Sequence, residues 1–205
     1  MVRPRFHALS DARRAAILDA AFGEFAAHGF VSASLNRIIE AAGISKGSLY
    51  YYFDGKEDLY AHVIRVHLEQ MIADSGPFPV PPASDPEGFW ATIEEYCRRL
   101  AYALAASPRL AGLLRDWLAD AGAPEMDAAR RDAEREAVPW IAQAIAAGQS
   151  AGAVRTDVPD DLLMAVVGAL GHVMDVWLIT RPTETVGRDD AVHVLVDLMR
   201  RAISP

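Results

Sequence analysis

The sequence holds a single cysteine, Cys97, in 205 residues. That excludes a disulfide framework within the chain and any cysteine-based metal cluster. No charged segment followed by an apolar run opens the chain, so no export is expected and the expected compartment is the cytoplasm. Internal repeats and alternating strand patterns are missing. So are a phosphate loop, a nucleophile elbow, paired carboxylates beside a histidine, and metal-ligand spacing. His62 and His67 stand five apart on one predicted helix, which does not give a metal two ligands on one face. These absences point away from an enzyme, with no catalytic residue, cofactor or metal expected. An excess of positive charge is lacking too, since the formal net charge is -8. What is abundant is apolar side chain, 52% of the residues, enough for a buried core and too much for a disordered chain.

The charge is unevenly divided. Residues 1–53 hold six Lys/Arg against four Asp/Glu, and residues 54–205 hold fourteen against twenty-four. An acidic body repels phosphate and leaves only the positive end able to approach it.

That end contains Ser34 to Phe53, which reads as two short helices around a tight turn. Leu35, Ile38, Ile39 and Ala42 recur at helical spacing. Gly43 falls where a helix needs a left-handed residue to stop, and Ser45 falls where a hydroxyl can cap the next helix. Ile44, Leu49 and Phe53 turn inward. Lys46, Gly47, Ser48, Tyr50, Tyr51 and Tyr52 are left outward, a set of hydroxyls, an ammonium and a glycine that suits a phosphate backbone and a major groove. The pattern predicts a helix-turn-helix whose second helix does the recognising.

The string GISKGSLYYYF followed by DGKEDLY resembles the DNA-binding signature of the TetR family (tetracycline-repressor-like regulators) over residues 10–62. The resemblance implies phosphate and groove contacts for Ser45, Lys46, Tyr50 and Tyr51, with Ser48 at a variable Thr/Ser position. It implies a phosphate contact for Lys56, which matches the lysine opening the next helix. Two positions depart from the pattern. Tyr52 stands where histidine is usual, and Ala33 where threonine is common, so Ser34 is the candidate hydroxyl there. Arg37 is either a backbone contact or a solvated surface arginine. The resemblance further implies a homodimeric repressor that binds a palindromic operator in double-stranded DNA and is released by a small molecule.

The fold class expected is all-α, with about nine helices. Residues 1–53 would form a three-helix DNA-binding domain, and residues 54–205 a helical ligand-binding and dimerisation domain. Arg3, Arg5 and His7 precede the first helix, either as a basic arm or as a frayed terminus. That helix would start at a Ser10 cap and stop at Gly29. A long helix begins after Gly55, with Glu57 and Asp58 in its first turn where the macrodipole favours them. Residues 75–86 hold five prolines and cannot be regular structure. Helices are then expected near 87–106, 108–120, from Pro124 with a kink at Pro139, 160–180 and 188–203. The run Asp127 to Glu136 reads as a solvated face.

The helix from residue 160 is apolar nearly all round from Leu162 to Gly171, a run too short to span a membrane. It must be covered on all sides, and Gly168 and Gly171 would admit a second helix. Together with Val166 and with Val192, Leu195, Val196 and Met199 of the last helix, they are the expected dimer interface. Trp90, Tyr96, Trp117, Trp140, His172 and Trp177 are the candidate wall of an effector pocket, which implies a hydrophobic or aromatic ligand. Aromatic core is the competing reading of each, and a ligand-independent DNA-binding or architectural protein is the competing reading of the whole. Clustered, strongly shifted titratable groups would favour an enzyme or sensor body instead.

Overall fold

The computed structural model describes residues 2–77, 85–119, 139, 141–180 and 187–205. Among these it is all-helical: α1 Pro4–His7, α2 Asp11–Ser32, α3 Leu35–Ala41, α4 Lys46–Tyr52, α5 Lys56–Asp74, α6 Pro86–Ala105, α7 Pro108–Ala119, α8 over 141–150, α9 Asp160–Thr180 and α10 Arg188–Ile203. The chain divides into two compact units. One comprises Met1–Gln70 and Pro108–Ala133, the other Met71–Ser107 and Glu134–Pro205. The expected helix from Pro124, with its charge-dense run, lies outside the described residues up to Pro139.

In the first unit, local chemistry sets the breaks. Gly29 takes φ 68° and ψ 172° inside the α2 span, so the regular helix stops at His28 and one further turn, Phe30–Ser32, follows at a new angle. Ser10 occupies the cap position of α2 without using its side chain; its carbonyl accepts from Arg13 and Arg14 instead. Gly43 ends the α3 segment at φ 61°. At the start of α5, Asp58 accepts from the Asp54 amide at 3.1 Å.

The core of this unit is built from Ile17, Phe25, Ile38, Leu49, Leu59 and Tyr60, each side chain contributing roughly 1.5–3 kcal/mol on burial. Tyr60 gathers it. Its ring meets Phe25 at 4.8 Å and Trp117 of α7 at 6.0 Å, and its hydroxyl donates to the Leu113 carbonyl at 3.2 Å. The N-terminus is not frayed. Phe6 is buried beside Phe53 at 4.9 Å, and the Arg3 amide donates to the Tyr52 carbonyl at 3.0 Å. An isolated phenylalanine ahead of the first long helix carries no periodicity, so nothing local to it marks it as core.

One polar side chain is sealed into this core. His62 is 5% exposed, stands edge-on to Phe6 at 5.3 Å, and accepts at Nδ1 from Arg65 Nη2 at 2.8 Å. Burial, then the positive charges of Arg65 and His7, push its pKa down to about 4, against a smaller opposite pull from Asp58.

In the second unit, Asp85 caps α6 by accepting from the Gly88 amide at 2.9 Å, with Pro86 in the first turn. The α6 helix packs along α10. Phe89, Trp90, Ile145, Val154, Leu163 and Val192 form the core. The end of α10 is tied to α6 by Arg200 donating to Glu87 at 2.9 Å, and to the loop before α9 by the Arg155 amide donating to the Ile203 carbonyl at 2.8 Å.

Two expectations are corrected here. Val192 and Val196 do not face outward: both are buried in their own unit, where Val166 and Met199 also pack. The α10 helix is apolar on more than one side, and α6 covers the side that carries these two valines, leaving Val194 and Leu198 exposed. Second, the apolar run from Leu162 does not stop at Gly171. It continues through His172 and Asp175 as one helix of 21 residues, which by length and composition alone is enough to cross a membrane. Leu163 is its one buried residue.

Candidate nucleic-acid interface

The turn between α3 and α4 is fixed before any ligand arrives. Ser45 Oγ accepts from the Ser48 amide at 3.0 Å and meets Ser48 Oγ at 2.8 Å. The two hydroxyls therefore spend part of their capacity on each other and on the helix start, which locks the first turn of α4. Lys46 and Gly47 stand exposed beside them, and a Cβ at Gly47 would meet only Ser45 Oγ, at 3.8 Å. Leu49 and Phe53 anchor the opposite side in the core.

The tyrosines differ from one another. Tyr50 and Tyr51 are exposed. Tyr52 is half-buried, its ring 6.0 Å from Phe6 and 5.6 Å from Tyr51. The expectation that all three point outward is thus corrected: three consecutive residues of a helix cannot share one face, and Phe6 takes the side of Tyr52.

Two cations expected to reach DNA are held within the unit. Arg37 donates through Nε to both Glu24 oxygens, at 2.9 and 3.0 Å, and through Nη2 to the Ser32 carbonyl at 3.2 Å. It braces Glu24 while its own side chain stays exposed at the surface. Glu24 also accepts from the Ser34 amide at 2.8 Å, so one carboxylate caps α3 and holds Arg37. Arg37, with the Ser34 amide helping, keeps the Glu24 carboxyl below the usual carboxylate range despite the opposing effect of burial. Ser34 stands at the cap position but does not cap with its own hydroxyl. Lys56 donates to the Val31 carbonyl at 2.9 Å and lies over the Phe30 ring at 4.9 Å. It satisfies the end of α2 and retains two N–H donors.

The candidates in the rest of the chain are not brought together. Trp117 lies in the core of the first unit, while Trp90 and Tyr96 are buried in the second. Trp177 is half-buried and His172 exposed on α9. Trp140 is outside the described residues. Two groups of the second unit, Cys97 and Asp175, are shifted from their ordinary behaviour. Burial, with Asp175 and Glu94 adding to it, raises the Cys97 thiol to about 11. Asp175 is solvent-accessible yet closely surrounded by protein, which raises its carboxyl to about 6 against the pull of His172. A thiol so disfavoured as thiolate is not a nucleophile at neutral pH.

A capped short helix bearing an exposed ammonium, a close-approach glycine and two tyrosines, set on a second helix through a glycine turn, defines a helix-turn-helix DNA-binding protein. The family model for "Bacterial regulatory proteins, tetR family" matches residues 17–63. The chain is 39% identical over 87 residues to the HTH-type transcriptional regulator RutR of Escherichia coli K12, a match that spans 42% of this chain and 39% of RutR. The first curated relatives are therefore matched over less than half of their length. A longer match is to the HTH-type transcriptional repressor SCO4008 of Streptomyces coelicolor, 31% identical over 175 residues, 84% of this chain and 81% of the relative. In fold, the chain is similar to the transcriptional regulator FadR of Bacillus subtilis in complex with stearoyl-CoA, at a TM-score of 0.65 and 17% identity over 89% of this chain and 95% of the other. The chain belongs to the TetR family of transcriptional regulators.

Proposed function

We propose that this regulator is a repressor that binds a palindromic operator as a homodimer and leaves it when a small hydrophobic or aromatic effector occupies the second unit. The observation that carries the dimer is a set of apolar side chains left uncovered among the described residues: Leu162 and Val173 on α9, Val194 and Leu198 on α10, each half or more exposed. A Cβ at Gly168 or at Gly171 would meet nothing within 4 Å, so a second helix has room to approach there. Two copies related by a two-fold axis would cover that surface and present two recognition helices to half-sites about 34–36 Å apart.

The effector reading comes from composition: between its first turn and Thr180, α9 offers apolar side chains with His172 and Asp175 as the polar groups. One relative of the same fold carries stearoyl-CoA, and for this chain we propose the apolar character alone. Burial of Trp90 and Tyr96 as ordinary core favours the second reading, a ligand-independent DNA-binding protein of the same fold.

Selection of bound duplexes from a random-sequence pool, followed by light scattering on the free protein, tests the first part. A palindromic consensus and a dimer at micromolar concentration are expected. A wild-type monomer would end the dimer proposal and the palindrome argument with it. Screening apolar compounds for release of the selected duplex then separates the two readings. Release by one of them, with a rise in melting temperature that depends on its concentration, supports the effector; operator affinity unmoved across the set favours the ligand-independent protein.

A further inference from the structure

The positive end of the chain has few charges to spare. Of the six Lys/Arg in residues 1–53, Arg3 is paired with Asp54, Arg14 with Asp11 and Arg37 with Glu24. Among the described residues, Arg5, Arg13 and Lys46 form no ion pair. Lys46 opens the recognition helix. Arg5 is forty-six positions away from Tyr51 in sequence, yet its guanidinium carbon lies 4.3 Å from the centre of the Tyr51 ring.

The segment that carries Arg5 is held on both sides of it. Ahead, the Arg3 amide donates to the Tyr52 carbonyl at 3.0 Å and the Arg3 guanidinium donates through Nε to Asp54 Oδ1 at 3.0 Å. Behind, Phe6 is buried among Tyr52, Phe53 and His62. Tyr51 itself is exposed. Stacking occupies one face of a guanidinium and leaves the N–H edge free to donate. A cation held this way gives up little freedom on meeting an anion, which an arginine on a loose arm would.

The geometry points to Arg5 as a further DNA-contacting residue, donating to a backbone phosphate beside the recognition helix, with Tyr51 as its platform and Phe6 as its anchor. It rests on the DNA-binding reading of α4 and extends the interface to a segment outside the helix-turn-helix. The contact is to phosphate, so it adds affinity without regard to sequence.

The test uses the full-length chain and a fluorescein-labelled mixed-sequence duplex, with affinity measured across a salt series. Arg5→Ala should make the slope of log K against log salt shallower by about 0.9 per subunit, the value of one phosphate contact. Arg5→Lys should keep the slope, and Arg201→Ala, in the other unit, should leave it unchanged. If Lys46→Ala lowers the slope and Arg5→Ala does not, the inference fails while the DNA-binding reading stands. If Arg5→Ala weakens binding at an unchanged slope, the arginine only braces Tyr51 and the phosphate assignment falls. If the wild type does not bind duplex even at low salt, the reading of α4 falls first.

Discussion

Acidification should loosen the DNA-binding unit through His62. In the folded chain the imidazole is sealed beneath Phe6, accepts from Arg65, and has its pKa pushed down to about 4. An unfolded chain returns it to about 6.5. Between those values the unfolded state binds a proton that the folded state refuses, so stability is intact above about pH 6.5 and falls as the pH drops, levelling off near 4. Each pKa unit is worth about 1.36 kcal/mol, so the loss approaches about 3 kcal/mol in full and is about 2 kcal/mol at pH ~5. That is a large share of the 5–15 kcal/mol typical of a domain. Carboxylates also titrate on the way down, so the measurement is a comparison. Urea denaturation of wild type and His62→Gln, followed by far-ultraviolet circular dichroism at pH ~7.5 and ~5, isolates the histidine. Glutamine keeps an acceptor for Arg65 and cannot titrate. The wild type should lose about 2 kcal/mol more than the variant between the two conditions. Equal losses would show that His62 takes up its proton in the folded chain as readily as in the unfolded one, and the account of its burial would be wrong.

Glu24→Ala removes the acceptor for the Ser34 amide and frees Arg37 at once; it should cost about 1–2 kcal/mol in thermal unfolding, and an unchanged melting temperature would mean that the carboxylate is not the cap of α3. Gly29→Ala places a side chain at φ 68° and ψ 172°, a conformation nearly confined to glycine, and should cost about 1–3 kcal/mol. Gly23→Ala, at an exposed helical position with open space around it, should be neutral or stabilising by comparison. Leu198→Glu should give monomers by light scattering with the circular dichroism of the wild type preserved, whereas Val196→Glu should unfold the second unit, because Val196 is buried in its own core.

What the sequence made legible was chemistry confined to a few neighbouring residues. Gly29, Gly43 and Ser45 do what their conformational freedom and hydroxyl predict, because a turn or a cap is decided within three or four positions. Charges were harder. Arg37 finds Glu24 thirteen residues away and Lys56 finds a carbonyl twenty-five away, and neither partner is visible to a rule about adjacent helical turns. Both looked available for phosphate when read in isolation. Trp117 was grouped with the other tryptophans by composition, yet α7 returns to pack with the first unit, a matter of topology. On α10 apolar residues occupy more than one side, and only the packing of α6 against it determines that Val192 and Val196 turn inward while Val194 and Leu198 do not.

The docked first turn has a practical side. Because Phe6 is core and Arg3 is hydrogen-bonded to the end of α4, a purification tag fused directly ahead of Val2 would begin within a few residues of Tyr51. With α4 docked on DNA as proposed, a bulky or acidic tag there competes for the same ground and imitates weak operator affinity. A tag after Pro205 starts from the other compact unit. Binding assays are better run with the tag at that end or removed, and a comparison of the two tagged forms would itself report how close the amino terminus comes to the duplex.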